Sequence, residues 1–177
     1  MTAPAVRRIG LAEWREVRDL RLRAVSDPDA AIAFLTTRDE EERRGDTFWQ
    51  ERAAGGALSD DAAQFVAEQD GEWVGTATVL VRRGGDVDHL GRAVPAPRAD
   101  LVGVYLAPDA RGRGVFAELC AAAARFAAER GADALTLDVH ADNVRARAAY
   151  AKVGFTPTGE TFTGSIGDEL VMRMPLR

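Results

Sequence analysis

The sequence predicts an α/β or α+β domain built on a mixed sheet, and three observations carry that prediction. A short apolar run, Leu101–Leu106, is followed by an Ala- and Leu-rich helical stretch, Val115–Arg130, and then by an alternating strand, Leu135–Val139. Strand, helix, strand in that order implies a right-handed crossover and a locally parallel pair. Hairpin signals flank this unit, so the remaining strands pair antiparallel. The chain of 177 residues, 46% of them hydrophobic, matches one domain spanning residues 1–177 whose core needs no covalent staples.

From the N-terminus, apolar residues recur at helical spacing over Ala12–Val25 (Trp14, Val17, Leu20, Ala24, Val25). A second helix is expected to begin near Thr37, where Thr37 and Glu40 form a capping-box pattern, and to reach Trp49 or a little beyond. Gln64–Gln69 and Glu72–Val81 alternate as strands around Asp70-Gly71, a strong hairpin signal. Gly84–Arg98, with three glycines and two prolines, reads as an irregular connection. Leu101–Leu106 reads as a strand buried on both faces, ended by Pro108. The long helix stops at Gly131, a suitable C′ residue, and a shorter one, Asn143–Val153, closes at Gly154. Two strands, near Phe155–Phe162 and Glu169–Met174, complete the chain.

Composition excludes several classes. A net charge of −5 argues against nucleic acid as a partner, because phosphate binding wants a basic face. The start MTAPAVRR lacks the apolar stretch of a secretory signal, and Arg125 interrupts the best apolar run; a cytoplasmic protein with no membrane partner is expected. One cysteine and two histidines leave little for a soft-ligand metal site, and no metal is expected.

The segment that carries chemistry is VYLAPDARGRGVFAEL, Val104–Leu119. A strand feeds Arg111-Gly112-Arg113-Gly114 and a helix starts at once. A helix's first turn offers unpaired N–H groups and a positive dipole end, which suit a phosphate. Glycines let the backbone approach it, and the arginines add bidentate donors. Gly112, Gly114 and Ala117 also match a dinucleotide fingerprint literally, with Asp138 where a ribose-binding acid is expected. That reading, a nicotinamide-dependent oxidoreductase, needs a doubly wound sheet for which too little chain remains.

Leu106-Ala107-Pro108 with RGRG also resembles the pyrophosphate loop of the GNAT acyltransferase superfamily, Q/R-x-x-G-x-G/A, although Phe116 stands where Gly or Ala is usual. Downstream, VHADNVRARAAYAKVGF (Val139–Phe155) resembles the same family's second signature, V-x-x-x-N…Y-x-x-x-GF. The resemblance runs from about Gln64 to the C-terminus. It implies a twisted sheet with helices on both faces and a splayed parallel strand pair. It also implies transfer of an acetyl group from acetyl-CoA to an amine of a small molecule or peptide. The site residues it implies are Val104, Tyr105, Leu106, Arg111, Gly112, Arg113, Gly114, Val115, Phe116 and Asn143 for the cofactor. Gly103, inside a strand, is compatible with a bulge opening that gap or with tight packing. Dimers are common in such proteins, so a homodimer is compatible with the resemblance.

Aminolysis of a thioester needs a neutral amine and a stabilised thiolate. By the resemblance Tyr150 is the catalytic acid, its phenol donating to sulfur. Asn143 and Tyr150, seven residues apart, project from one helix face. Taken singly, Asn143 reads as a helix cap and Tyr150 as a core aromatic. Cys120, mid-helix among alanines, reads as a small buried hydrophobe, which favours direct attack by the amine. Glu68, Asp100, Asp138 and His140 lie on or beside strands that border an acceptor, and none stands out as the base. Asp39–Glu42 reads as a solvated helix start, and Phe34, Phe48 and Trp49 as core. A non-catalytic acyl-CoA-binding module is the remaining alternative; its mark would be binding without turnover.

Overall fold

The structure, a computed structural model, describes residues 3–176. Seven strands form one sheet in the order β1-β2-β3-β4-β5-β7-β6. They are β1 (Ala5–Arg8), β2 (Ala62–Gln69), β3 (Glu72–Arg82), β4 (Arg98–Leu106), β5 (Ala134–His140), β6 (Thr156–Gly164) and β7 (Gly167–Pro175). Every pairing is antiparallel except β4 with β5. The helices are α1 (Trp14–Ala24), α2 (Arg38–Glu42), α3 (Asp46–Leu58), α4 (Val115–Glu129) and α5 (Val144–Lys152).

Local chemistry explains most of these boundaries. Asp70 and Gly71 both take positive φ (52° and 83°), the conformation of a two-residue hairpin turn, and set Gln69 opposite Glu72. The Thr37/Glu40 capping box forms at the start of α2. Gly131, at φ 80°, follows the end of α4 and lets its amide return to the Ala128 carbonyl.

The core has two parts. On one side Val115, Phe116, Leu119, Cys120, Ala123, Phe126 and Ala127 of α4 are buried at helical spacing and join a cluster with Ala77, Val79 and Leu101 of the sheet. The second cluster joins Val17 and Leu20 of α1 and Trp49 and Ala53 of α3 to Val66, Trp73 and Tyr105. Phe34 and Trp49 are core residues here, as their type suggested, and Phe34 also borders the cavity between β4 and β5.

Two expectations are corrected, and one strand had no sequence signal. The helix expected from Thr37 to Trp49 is two helices, with Gly45 as the extended N-cap of α3. The buried Glu41 is bound by Arg21 of α1 and by Arg44, whose side chain folds back on it, so the chain turns there. The strand Ala5–Arg8 has no apolar alternation to announce it. It is pinned by its arginines: Arg7 bridges Glu13 and Glu68, and Arg8 donates to the carbonyls of Gly56, Ser59 and Ala62. Finally, β4 is not covered on both sides along its length. Val102, Gly103 and Val104 are half-buried because β5 pairs with β4 only at Ala99↔Leu135 and Asp100↔Thr136.

Candidate active site

Beyond those two pairs the strands diverge, and a cavity of about 1190 Å³ fills the gap and reaches the N-terminal helices. Its lining includes Val104, Tyr105, Leu106, Arg111, Gly112, Gly114, Val115, Phe116, Asn143 and Tyr150, which are ten of the eleven residues expected at the site. Arg113 is exposed and lies outside that lining.

The bulge that Gly103 suggested is present. The β3–β4 register slips between Thr76↔Tyr105 and Thr78↔Val102, leaving Gly103 and Val104 opposite a single residue. Gly103 has φ 60°, and a Cβ there would meet nothing closer than Thr78 Oγ1 at 3.9 Å. Backbone conformation, not crowding, is therefore what calls for glycine here.

At the other end of the gap, Gly112 and Gly114 both adopt positive φ (73° and 80°), and the space where their side chains would stand is open. Gly114 is the N-cap of α4 and offers no side-chain acceptor to the first-turn N–H groups. An anion can reach that turn along both glycines. Arg111 beside it donates to the Leu106 carbonyl (3.1 Å) and forms an ion pair with Asp27.

On α5, Asn143 Oδ1 caps the helix by accepting from the Ala146 N–H at 3.1 Å, as its cap reading anticipated, while the residue also lines the cavity. Tyr150 stands edge-on between Phe116 and Phe155, at 5.4 and 6.0 Å between ring centroids. Burial, then the neighbouring Cys120, pushes its phenol up to about 12. Burial likewise raises the Cys120 thiol to about 11, so it carries no thiolate near neutrality.

The four carboxylate and histidine candidates for a base fare differently. Glu68 pairs with Arg7 and lies outside the cavity. Asp100 lines it, but although burial disfavours its charge, His89, Arg98, Arg82 and Thr136 hold its pKa below the usual carboxylate range. Asp138 is engaged by Arg92 at 2.8 Å. His140 accepts from the Asp142 N–H through Nδ1 (3.1 Å) and donates from Nε2 to the Ile166 carbonyl (3.0 Å), which uses both ring nitrogens.

Two residues escaped sequence reasoning. Glu169 of β7 is buried, lines the cavity, and has no hydrogen-bond or ion-pair partner among the described residues. Burial, then Asp138, raises its pKa above the ordinary value, against opposing His140, Arg92 and His89. Asp88, whose side chain is 0% exposed, organises the Gly84–Arg98 connection by accepting from the N–H groups of Leu90 and Arg92 (2.9 Å each) and pairing with Arg92 and Arg98. His89, Leu90, Arg92 and Ala93 of that connection line the cavity. Neither residue carried a sequence signal, since each depends on partners brought from distant segments.

A mixed sheet with one splayed parallel pair opens onto a glycine-led helix start; among the described residues there is no doubly wound parallel sheet for a dinucleotide fold. The sequence matches the model of the Acetyltransferase (GNAT) family over residues 14–155, and the chain belongs to that family. Among named relatives, it is 28% identical over 100 residues to the aminoglycoside N(6')-acetyltransferase type 1 of Salmonella typhimurium (strain LT2). That match covers 56% of this chain and 66% of the relative, just under two thirds of its length. Ribosomal-protein-alanine N-acetyltransferase from Brucella melitensis superposes with TM-score 0.68 at 26% identity, covering 97% of this chain and 99% of that one. A phosphinothricin acetyltransferase from Sinorhizobium meliloti, solved in complex with AcCoA, shares the fold at TM-score 0.71 and 16% identity, covering 99% and 89%. No helix among the described residues is long and apolar enough to cross a membrane.

Proposed function

We propose that the chain transfers an acetyl group from acetyl-CoA to a primary amine, which attacks the thioester directly. The observation that carries this reading is the gap between β4 and β5, open at the first turn of α4 and walled by Tyr150. The open faces of Gly112 and Gly114 fit a diphosphate, with Arg111 beside them and the edge of β4 from Gly103 to Leu106 left for the pantetheine arm. Acetyl-CoA supplies the activated acyl group; a protein of the same fold holds it in its crystal structure.

The remaining chemistry falls to side chains. A free amine with a pKa of about 10.4 is mostly protonated at pH 7, a deficit of ~3.4 units or about 5 kcal/mol. Glu169, unpaired and with its pKa raised, is the cavity carboxylate suited to take the proton. Tyr150 stays protonated throughout the neutral range with its pKa near 12. Complete proton transfer from that phenol to a thiolate of pKa about 8.5 would run uphill by ~3.5 units, so the phenol serves as a hydrogen-bond donor to sulfur. Cys120, protonated and buried, takes no part, which leaves direct attack.

Calorimetric titration with acetyl-CoA and with NAD, followed by thiol release across an amine panel, tests this. Binding of acetyl-CoA with amine-dependent thiol release is expected; binding without release would assign a non-catalytic module, and preference for NAD would overturn the reading.

A further inference from the structure

Among the described residues, seven arginines line the cavity: Arg21, Arg44, Arg52, Arg92, Arg98, Arg111 and Arg145. Six of them are engaged. Arg21 and Arg44 bind Glu41, Arg92 binds Asp88 and Asp138, Arg98 binds Asp88 and Asp100, Arg111 binds Asp27, and Arg145 binds Asp29. Arg52 of α3 has no hydrogen-bond or ion-pair partner among the described residues.

Its surroundings make this costly. Burial is the largest influence on Arg52 and, with the neighbouring Arg21 and Arg44 charges, lowers its pKa to about 10, against the attraction of Glu41. Glu41 is itself committed, accepting from Thr36, Arg21 and Arg44. Three guanidinium groups therefore cluster near one carboxylate, and only Arg21 and Arg44 reach it. Arg52 also stands beside the β4 bulge: Arg21, Arg52, Thr78 and Gly103 line both the main cavity and a small recess of about 10 Å³. A half-buried, unpaired guanidinium facing a substrate cavity is a recognition group for a planar anion, which its forked donors bind in bidentate fashion. One guanidinium is left without a partner, and the negative charge of Glu41 beside it weighs against a second negative charge on the ligand, which favours a monoanionic carboxylate over a phosphate dianion.

From this arrangement we infer that the acceptor is an amine that also bears a carboxylate, the amino-acid class, and that Arg52 is its specificity-determining residue. The inference rests on the proposed acetyl transfer and names its substrate class. It separates this chain from its aminoglycoside-acetylating relative, because a polycationic sugar would meet Arg52 with like charge.

The test uses matched acceptors: L-amino acids, the corresponding decarboxylated amines, and the aminoglycoside kanamycin, each with acetyl-CoA. We expect kcat/KM for the best amino acid to exceed that of its decarboxylated partner by at least about tenfold. Arg52→Met should erase that preference through KM, leaving the KM for acetyl-CoA unchanged, and Arg52→Lys should restore part of it. Equal turnover of decarboxylated amines or kanamycin, or a preference that survives in Arg52→Met, overturns the inference. Acetyl-CoA binding is measured in parallel. Its absence overturns the proposed function alone, and calorimetry of L-amino acids against the unliganded wild type and Arg52→Met then decides the charge match, equal affinities refuting it.

Discussion

Replacing Asp88 by Asn keeps the shape of the side chain and removes its charge at the point where the Gly84–Arg98 connection is tied together. Asp88 accepts two backbone N–H groups and faces Arg92 Nε at 2.7 Å and Arg98 Nη2 at 2.9 Å. Burial opposes its ionisation, but the Arg92 amide and side chain and the Leu90 amide together hold its pKa at about 2, down from 3.8. That drop corresponds to about 2 kcal/mol of stability from the ionised form. The sign follows from the direction: the contribution is complete above pH ~4 and disappears as pH falls through about 2. In Asp88→Asn one amide face can still accept a backbone N–H, but the other presents N–H to guanidinium N–H. Arg92 and Arg98 keep Asp138 and Asp100 as partners, so neither is orphaned and the loss stays near the 2–3 kcal/mol expected of charge-assisted bonds. For a chain of this size that is a fall in Tm of roughly 4–10 °C at pH 7. Differential scanning calorimetry from pH 7 to 2 should show the gap to wild type narrowing with acid. Because His89, Leu90, Arg92 and Ala93 border the cavity, acceptor KM should rise more than kcat falls. A variant with wild-type Tm at pH 7 and an unchanged acceptor KM would refute the account of Asp88 as the tie.

Other substitutions probe the remaining groups. Tyr150→Phe should lower kcat by roughly 10- to 100-fold, the worth of one hydrogen bond to a developing charge, with acetyl-CoA affinity preserved; equal kcat would remove the phenol from the reaction. Glu169→Gln should depress kcat/KM at neutral pH and remove the acidic limb of its pH profile. Because the Glu169 pKa is raised, its ionised form costs stability as pH rises through that value, so the Gln variant should melt higher at pH 7. A lower Tm with an unchanged pH profile would contradict both statements. Arg52→Met should also raise Tm, since its guanidinium pKa drops from 12.5 to about 10 on burial. The expected gain, after solvent screening, is roughly 1–3 kcal/mol, and thermal melting that shows a loss would contradict the description of Arg52 as unpaired.

What could be read in advance was what neighbours in the chain decide. Asp70-Gly71 sets a turn, Thr37 and Glu40 cap a helix, and Gly114 and Gly131 bracket α4 because each depends on dihedral preferences within a few residues. The glycine-loop and α5 parts of the candidate site could be named in advance for the same reason, since Arg111–Phe116 is one short loop running into α4 and Asn143–Tyr150 is α5 with its cap. What escaped depends on distant partners. The Ala5–Arg8 strand exists because Glu68, Glu13 and carbonyls from residues 56 to 62 receive its arginines. The break between α2 and α3 centres on a buried Glu41 that needs Arg21 from another helix. Arg52 and Glu169 are ordinary charged residues in sequence, and only the packed cavity shows that one lacks an anion and the other lacks a cation.

The brevity of the β4–β5 ladder also has a mechanical side. Strands β1 to β4 form one leaf and β5 to β7 another, and only Ala99 and Asp100 are stitched in register across the seam. Asp100 clasps the seam a second way by accepting from Thr136 Oγ1 at 3.0 Å, while Arg82 and Arg98 anchor it from its own leaf. A guest molecule lying along the open edge would act as a splint between the leaves, so occupancy should stiffen the whole sheet and not merely the mouth where it enters.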